Sequence, residues 1–193
     1  IKYTSLLFTM LDLSIIIVSF NGKEFLKKCL ASILQSMEGK LKFEIIVVDN
    51  ASSDGSPSEI SRLRQNFGGQ ANFKLIANKE NVGFSKANNQ GIKISENGKY
   101  VLFLNPDTVM QKNTIEKMIK FMDNNKDAGA ATCKLVMLNG KIDDASHRGF
   151  PTPWNAFCHF SGLARLFPKS KLFSGYNLGW MDINKVHEID ALA

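Results

Sequence analysis

Several patterns that mark common protein classes are missing from this chain. The apolar patch near the N-terminus is broken by Asp12, so it is too short for a membrane-spanning helix. No signal-peptide cleavage pattern is present. The three cysteines, Cys29, Cys133 and Cys158, are widely separated and lack metal-ligand spacing. We therefore expect a reducing, cytoplasmic location, with peripheral contact at the inner face of the membrane as an additional prediction.

The glycine-rich phosphate loops of common nucleotide-binding proteins are also missing. Neither Gly-x-Gly-x-x-Gly nor Gly-x-x-x-x-Gly-Lys-Ser/Thr follows the first apolar segment, where the chain reads SFNG over residues 19–22. A single glycine does not cradle a pyrophosphate as those loops do. If a nucleotide binds here, its phosphates need another partner, and a divalent cation is the obvious candidate.

Composition and charge describe an ordinary globular protein. The chain has 193 residues, 44% hydrophobic and 22% charged, which is enough for one sizeable core. We expect residues 1–9 to be a non-native or disordered extension and residues 10–193 to form a single domain. The net charge of +6 suits a phosphorylated substrate or an anionic membrane surface. No lysine run is interleaved with aromatics, so we expect no nucleic-acid partner.

Apolar periodicity switches repeatedly between strand and helix. We predict strands at residues 13–20, 43–48, 73–77, 100–104 and 128–138, and helices at 23–37, 57–66, 85–96 and 113–125. Asn139-Gly140 is a predicted hairpin turn. This alternation predicts an α/β fold with a mostly parallel sheet flanked by helices. Beyond residue 145 the period is weak, and we expect a short helix and long loops.

Two predicted strands run directly into carboxylates. The strand at 43–48 ends at Asp49, and the strand at 100–104 ends at Asn105-Pro106-Asp107. Ligands of α/β proteins bind at the carboxyl ends of parallel strands. The two acids therefore suggest a nucleotide and metal site, although each is also explained by a turn or by a helix N-cap.

Four motifs in order carry a resemblance to a known family. They are Val18–Gly22 (VSFNG), Ile46–Ser56 (IVVDNASSDGS), Asn78–Gly91 (NKENVGFSKANNQG) and Leu104–Asp107 (LNPD). Together they resemble glycosyltransferase family 2, nearest to its rhamnosyltransferase-like branch. The resemblance implies a GT-A fold, here truncated at its C-terminal end, and an inverting hexosyltransferase. It also implies a UDP- or dTDP-linked sugar donor, Mg²⁺ or Mn²⁺ as cofactor, and a glycan or lipid-linked acceptor in cell-envelope polysaccharide biosynthesis.

The resemblance also assigns roles to individual residues. The implied donor-binding residues are Ser19, Phe20, Asn21, Asp49, Asn81, Gly83, Phe84, Asn88, Asn105 and Arg148. Asp107 is the implied metal ligand, in a motif where Asn105 replaces the first acid of the family's Asp-x-Asp. Plainer alternatives remain open: Asp49 as a helix cap, Phe20 as a core residue, and Asn88 as an ordinary polar helix residue. For Asp54 we favour a capping role, and for His147 a surface position.

The general base of the family is not found in the sequence. Its Glu-Asp-x-Asp-like motif is absent, and the late acids Glu188 and Asp190 are poor candidates. We therefore expect the base to lie beyond residue 193, which would leave this chain inactive in transfer. Competing readings are a non-catalytic nucleotide-sugar-binding fragment, a nucleotidyltransferase, and a plain structural α/β domain. The oligomeric state is open.

Overall fold

The computed structural model describes residues 11–37, 41–66, 72–96, 98–143 and 146–190. The chain divides into two compact units, Ile1–Ile119 and Lys120–Ala193, and each is described by itself. The predicted extension at residues 1–9 lies outside the described residues. The single domain over residues 10–193 stays a prediction.

The first unit alternates strands and helices, as predicted. Its elements are β1 Leu13–Ser19, α1 Lys23–Ser36, β2 Phe43–Asp49, α2 Ser56–Asn66, β3 Asn72–Ala77, α3 Phe84–Ile94, β4 Tyr100–Phe103 and α4 Thr114–Asn124, the last of which continues past residue 119. Helix α1 illustrates why apolar spacing predicted the helices. Its residues Leu26, Leu30 and Ile33 recur at helical spacing and are buried. The observed bounds differ from the predicted ones by one or two residues, the normal uncertainty at helix and strand ends.

All four strands pair in parallel in the order β3-β2-β1-β4. The pairing of β1 with β2 runs from Leu13 opposite Phe43 to Ser19 opposite Asp49, and both strands are almost entirely buried. Parallel strands buried on both faces read as continuous Ile and Val runs rather than as an alternation. Because every strand points the same way, all their carboxyl ends meet at one edge of the sheet.

The sheet has a core on each face. On one face, Ile15, Ile17 and Val47 pack with apolar residues of α1, α2 and α4. On the other, Ile16, Ile46 and Val48 pack with Ala87 of α3. Gly91 of α3 lies so close to β1 that an added Cβ would come within 2.6 Å of the Ile16 side chain. Helices thus cover both faces of the sheet, as the sequence predicts.

A buried carboxylate ties the amino-terminal edge of the sheet together. Glu44 is fully buried, and its Oε1 accepts hydrogen bonds from the Ser14 hydroxyl at 2.7 Å and from the Glu96 amide at 2.6 Å. Its Oε2 lies 2.9 Å from Nζ of Lys74. A buried charge is tolerated only when it is paired and hydrogen-bonded. Glu44 therefore links β1, β2, β3 and the turn after α3.

The predicted fifth strand at residues 128–138 is wrong. The described residues of this segment form only an isolated antiparallel bridge between Val136 and Ile142. The predicted Asn139-Gly140 turn closes it, with the Met137 amide donating to the Lys141 carbonyl at 2.8 Å. Val136, Met137 and Leu138 are exposed, so the apolar run that suggested a buried strand has no sheet to bury it.

The second unit contains two short helices, α5 Pro153–Phe160 and α6 Leu163–Leu166. Thr152 caps α5 by accepting a hydrogen bond from the Asn155 amide at 3.2 Å, and Pro153 opens the helix. Across the described residues, no helix combines the length and apolar character needed to span a bilayer.

Replacing Glu44 by alanine should destabilise the first unit by about 3 kcal/mol, because it removes the acceptor of the Ser14 hydroxyl and of the Glu96 amide and one of the two carboxylates paired with Lys74. Glu59→Ala is the control, since it removes a carboxylate from the more exposed pair with Arg62 and should cost much less stability. Urea unfolding monitored by circular dichroism measures both. Equal losses in the two variants would show that Glu44 does not hold this edge.

Candidate functional site

The carboxyl edge of the sheet brings together most of the residues assigned from the sequence. Ser19 ends β1 and Asp49 ends β2, and the two lie opposite each other in the pairing. The Asn50 amide donates to the Ser19 carbonyl at 2.8 Å, which extends this pairing beyond the strand. The Asn78 amide donates to the Asp49 carbonyl at 2.9 Å and so brings the loop after β3 to the same edge. Asn105 follows β4 there.

Two buried polar atoms at this edge lack a partner among the described residues. Oδ1 of Asp49 and Oγ of Ser19 make no hydrogen bond, although Asp49 is only 1% exposed and Ser19 is fully buried. The other carboxylate oxygen, Oδ2 of Asp49, accepts from the Ser52 amide at 3.0 Å. Buried polar atoms are nearly always paired, so an unpaired carboxylate oxygen points to an external hydrogen-bond donor. The alternative of Asp49 as a local cap accounts for Oδ2 alone.

The turn after β1 is fastened to the loop after β2. The Asn21 amide donates to the Ser52 hydroxyl at 2.9 Å, and Oδ1 of Asn21 accepts from the Ser53 amide at 2.8 Å. Asn21 and Ala51 both have a positive φ, 50° and 69° respectively. Non-glycine residues with positive φ are uncommon and often cluster at functional sites. Phe20, in the same turn, is 51% exposed and is therefore not the core residue of the alternative interpretation.

Asp54 has the capping role that we favoured. Its carboxylate accepts from the Lys23 amide at the start of α1 at 2.9 Å, and from the Ser56 amide at the start of α2 at 3.0 Å. Hydrogen bonds from the Ser56 hydroxyl and from the Lys23 amide hold the pKa of this carboxyl below its ordinary value. One side chain therefore fixes the first turns of two helices.

A network of amide side chains supports the loop after β3. Oδ1 of Asn50 accepts from Nδ2 of Asn78 at 3.1 Å and from the Val82 amide at 3.0 Å. Nδ2 of Asn50 donates to Oδ1 of Asn81 at 2.7 Å, and that oxygen also accepts from the Gly83 amide at 3.0 Å. Asn81 therefore already uses its oxygen to shape the loop. Asn50 is a central residue that the sequence analysis left out, although it stands directly beside Asp49.

Helix α3 begins at the same edge. Gly83 has φ 84° and ψ 160°, a conformation that is essentially restricted to glycine. Phe84 follows and is 58% exposed. Asn88 is only 8% exposed, and its Nδ2 donates to the Phe84 carbonyl at 3.1 Å. These residues lie at the predicted edge, and their contact with a donor stays a prediction.

Helix α1 fixes the loop after β4, which carries Asp107. Met110 donates its amide to the Ser32 hydroxyl at 2.9 Å, and Asn113 donates its amide to the Ser36 carbonyl at 3.0 Å. The Cys29 thiol lies beneath the loop, 3.8 Å from the Asn105 carbonyl. Burial raises the pKa of this thiol to about 11, so Cys29 acts here as a neutral packing group.

Asp107 itself is an exposed carboxylate on this loop. No cluster of three or more His, Cys, Asp or Glu able to hold a metal occurs among the described residues. Magnesium and manganese sites that act on nucleotides commonly use only one or two carboxylates and complete the shell with substrate phosphates and water. A single exposed carboxylate therefore fits a cation that arrives with its nucleotide, but does not fit a cation bound by the protein alone.

Arg148 and His147 belong to the second unit. The Arg148 guanidinium lies 5.7 Å from the centre of the Tyr176 ring. His147 is not isolated, because its Nε2 lies 2.7 Å from Nε2 of His187, and one of these atoms must carry the hydrogen of that bond. Asp190 accepts from the Phe150 amide at 3.2 Å. A pairing between residues 40 apart in the chain has no local sequence signal.

Comparison with known proteins identifies the family. The model of glycosyl transferase family 2 matches residues 14–181. The chain belongs to this family. Its parallel sheet with helices on both faces confirms the predicted GT-A fold, which the solved structures below share. The rhamnosyltransferase-like branch stays a prediction.

Curated relatives come from several bacteria. The minor teichoic acid biosynthesis protein GgaB of Bacillus subtilis is 31% identical over 115 residues, covering 60% of this chain and 12% of that protein. The poly(ribitol-phosphate) beta-N-acetylglucosaminyltransferase TarS of Staphylococcus aureus is 26% identical over 133 residues, covering 68% of this chain and 22% of that protein. The chain thus spans only a fraction of the length of these relatives.

Solved structures show the same fold. A crystal structure of S. aureus TarS superposes with a TM-score of 0.59 at 25% identity, covering 70% of this chain and 24% of that chain. The mannosyltransferase PcManGT of Pyrobaculum calidifontis, solved in complex with GDP-Man and Mn²⁺, gives a TM-score of 0.54 at 21% identity. That superposition covers 65% of this chain and 34% of the other.

Gly83→Ala should lower the free energy of unfolding by about 1–3 kcal/mol, because alanine strongly disfavours the backbone angles found there. An added Cβ would meet nothing within 4 Å, so the loss would report backbone strain and not a clash. Gly129→Ala is the control, since Gly129 has equally open space and no positive φ. A similar change in both variants, measured by chemical denaturation, would contradict the strain argument.

Ser32→Ala should loosen the loop that carries Asp107, because it removes the acceptor of the Met110 amide. Ser36→Ala is a close control, because both serines are buried and both hydroxyls donate to the carbonyl three residues earlier. The Asn113 amide donates to the backbone carbonyl of Ser36 and not to its hydroxyl, so this variant keeps the contact with the loop. Hydrogen exchange at the Met110 amide should speed up at least tenfold only in Ser32→Ala. Unchanged exchange would mean that other contacts hold the loop.

Proposed function

We propose that the first unit binds a nucleoside-diphosphate sugar at the carboxyl edge of its sheet, as the donor-binding part of an inverting glycosyltransferase. The observation that carries this proposal is the buried, unpaired Oδ1 of Asp49 beside the unpaired Oγ of Ser19. A carboxylate oxygen accepts from a pyrimidine imide N–H or from a ribose hydroxyl. UDP- and dTDP-linked donors both offer the imide N–H and a 3′-hydroxyl, and UDP offers the 2′-hydroxyl of ribose in addition.

The surrounding residues suit the remaining parts of such a donor. The exposed ring of Phe20 and the fixed turn at Asn21 would border the nucleotide on one side. Gly83, Phe84 and Asn88 would border it on the other, with Asn81 shaping their loop. Asn105 would contact the ribose or the nucleotide. Arg148 belongs to the second unit, and its contact with the diphosphate or an anionic acceptor stays a prediction from the family resemblance.

Asp107 would hold Mg²⁺ or Mn²⁺ together with the donor diphosphate. When bound, such a cation supplies Lewis-acid stabilisation to the departing diphosphate. Solved structures of TarS contain UDP and UDP-GlcNAc, and PcManGT was solved with GDP-Man and Mn²⁺. These neighbours support a sugar nucleotide as the ligand class.

Transfer also requires a general base for the acceptor hydroxyl. Asp190 is engaged by the Phe150 amide, and the sequence offers no Glu-Asp-x-Asp motif. We therefore place the base outside residues 1–193 and expect donor binding without efficient transfer. The GgaB and TarS relatives favour a glycan or polyol-phosphate acceptor of the cell envelope for the whole protein. Peripheral membrane contact would then bring the enzyme to a lipid-linked acceptor.

Calorimetric titration with UDP, dTDP and GDP, each with and without Mn²⁺, tests the binding site. Asp49→Asn should weaken binding roughly tenfold to a hundredfold with or without metal, because it removes a charged acceptor. Asp107→Ala should abolish only the Mn²⁺-dependent gain in affinity. Asp127→Ala, which removes an exposed acid of the second unit, should change neither. Wild-type affinity in Asp49→Asn would overturn the site.

Product analysis separates the competing functions. A nucleotidyltransferase would release pyrophosphate from UTP or dTTP and a sugar 1-phosphate. A glycosyltransferase would release UDP or dTDP from a sugar nucleotide when an acceptor is supplied. A donor-binding fragment would bind the nucleotide and do neither. Transfer at the rate of a full-length relative would place the general base within these residues and contradict our expectation.

A further inference from the structure

Helix α5 of the second unit presents a stripe of aromatic side chains to solvent. Trp154, Phe157 and Phe160 follow one another at three-residue spacing, which places them along one side of the helix. They are 46%, 55% and 86% exposed. Cys158 is fully buried and follows Trp154 by one turn, so the stripe borders the side of the helix that faces the protein. Large aromatic residues exposed as a group, rather than singly, indicate an interaction surface.

The stripe continues onto the segment after α6. Phe167 and Leu172 are 50% and 60% exposed. The ring of Phe173 links the two parts, lying 6.3 Å from Trp154 and 5.2 Å from Phe167 between ring centres. Nε1 of Trp154 donates to the Leu172 carbonyl at 2.8 Å, so the indole is held in place. We call the set Trp154, Phe157, Phe160, Phe167 and Leu172 the aromatic surface.

The segment that carries the aromatic surface contains basic residues and no acidic ones. Residues 150–172 include Arg165, Lys169 and Lys171 but no Asp or Glu. All three cations are exposed, and none forms an ion pair within the described part of the chain. Exposed aromatic side chains beside unpaired cations are typical of protein surfaces that bind a lipid membrane, which has an apolar interior and anionic headgroups.

We propose that the aromatic surface docks on an anionic lipid bilayer. Aromatic side chains enter the headgroup region, where their apolar rings are removed from water. Lysine and arginine side chains extend so that their charged ends reach the lipid phosphates. A second copy of the chain is a poorer occupant, since a symmetric contact would bring two sets of three cations together. The proposal rests on the peripheral membrane contact proposed above and names the surface that makes it. Because this surface lies wholly in the second unit, its test does not depend on nucleotide binding.

Sedimentation with lipid vesicles tests the docking directly. The whole chain is mixed with vesicles of phosphatidylcholine alone, and with vesicles in which part of the lipid is phosphatidylglycerol. We expect binding to the mixed vesicles, little binding to the neutral ones, and a fall in binding as salt rises, because the electrostatic part is screened. No binding to either vesicle, or equal binding to both, overturns the proposal.

Charge variants test the contribution of the cations. Lys169→Gln combined with Lys171→Gln should weaken binding to the mixed vesicles about thirtyfold. This corresponds to a loss of about fivefold for each lysine near an anionic surface. Lys28→Gln combined with Lys93→Gln removes the same charge from exposed positions on α1 and α3 and should have little effect. An equal loss in both double variants would indicate attraction by net charge alone and would overturn the docking surface.

Aromatic variants test the apolar contribution. Phe157→Ser should weaken vesicle binding about tenfold, since it removes a phenyl ring from the docked surface. Phe25→Ser is the matched control, because Phe25 is 60% exposed on α1 in the first unit. Light scattering completes the test: a dimer that dissociates in Phe157→Ser would assign this surface to a second copy and overturn the proposal. Unchanged circular dichroism confirms that both variants fold.

Discussion

The in-register pairing of β1 with β2 is the constraint on which the rest of the first unit depends. It sets Ser14 opposite Glu44 at one end and Ser19 opposite Asp49 at the other. Side chains alternate between the faces of a strand, so a slip of one residue would turn every one of them over. Glu44 would then leave its hydrogen-bonding partners and enter the core shared with α1. The same register thus specifies both the buried charge and the candidate site.

The two ends of this pairing are built differently. At the amino end, Oε1 of Glu44 accepts two hydrogen bonds and Oε2 forms an ion pair with Lys74, so each carboxylate oxygen has a partner. At the carboxyl end, Asp49 and Ser19 each keep an unpaired atom. The amide network around Asn50 and the α1 contacts around Met110 hold the loops that surround them. The first edge stabilises the fold, and the second carries unpaired polar atoms among loops that are held by hydrogen bonds.

The sequence was enough to predict the parts of the structure that depend on local pattern. Runs of Ile and Val gave the buried strands, and apolar spacing gave helix α1. The position of Asp49 and of the loop that carries Asp107 at the same edge of the sheet followed from parallel topology. The segment at 128–138 was mistaken for a strand because a short apolar run has the same composition whether or not a neighbouring strand exists to pair with it.

Other features could not be read because they join distant residues. The Asn50–Asn81 bond and the contact between His147 and His187 depend on loops that only the folded chain brings together. Burial was equally hard to judge for single aromatics, and Phe20 could be read as core or as surface until its exposure was known. The family resemblance predicted roles for such residues, whereas apolar spacing and topology predicted only the edge of the sheet at which they lie.

The unpaired oxygen of Asp49 has a consequence for how this protein tolerates change. A buried charge without a full set of partners works against folding, so a smaller or apolar residue there would make the unliganded protein more robust. A lineage that lost its ligand would be expected to lose this carboxylate early while keeping Glu44. The presence of an acid at this position in a related sequence therefore distinguishes a chain under selection for binding from one retained only for its fold.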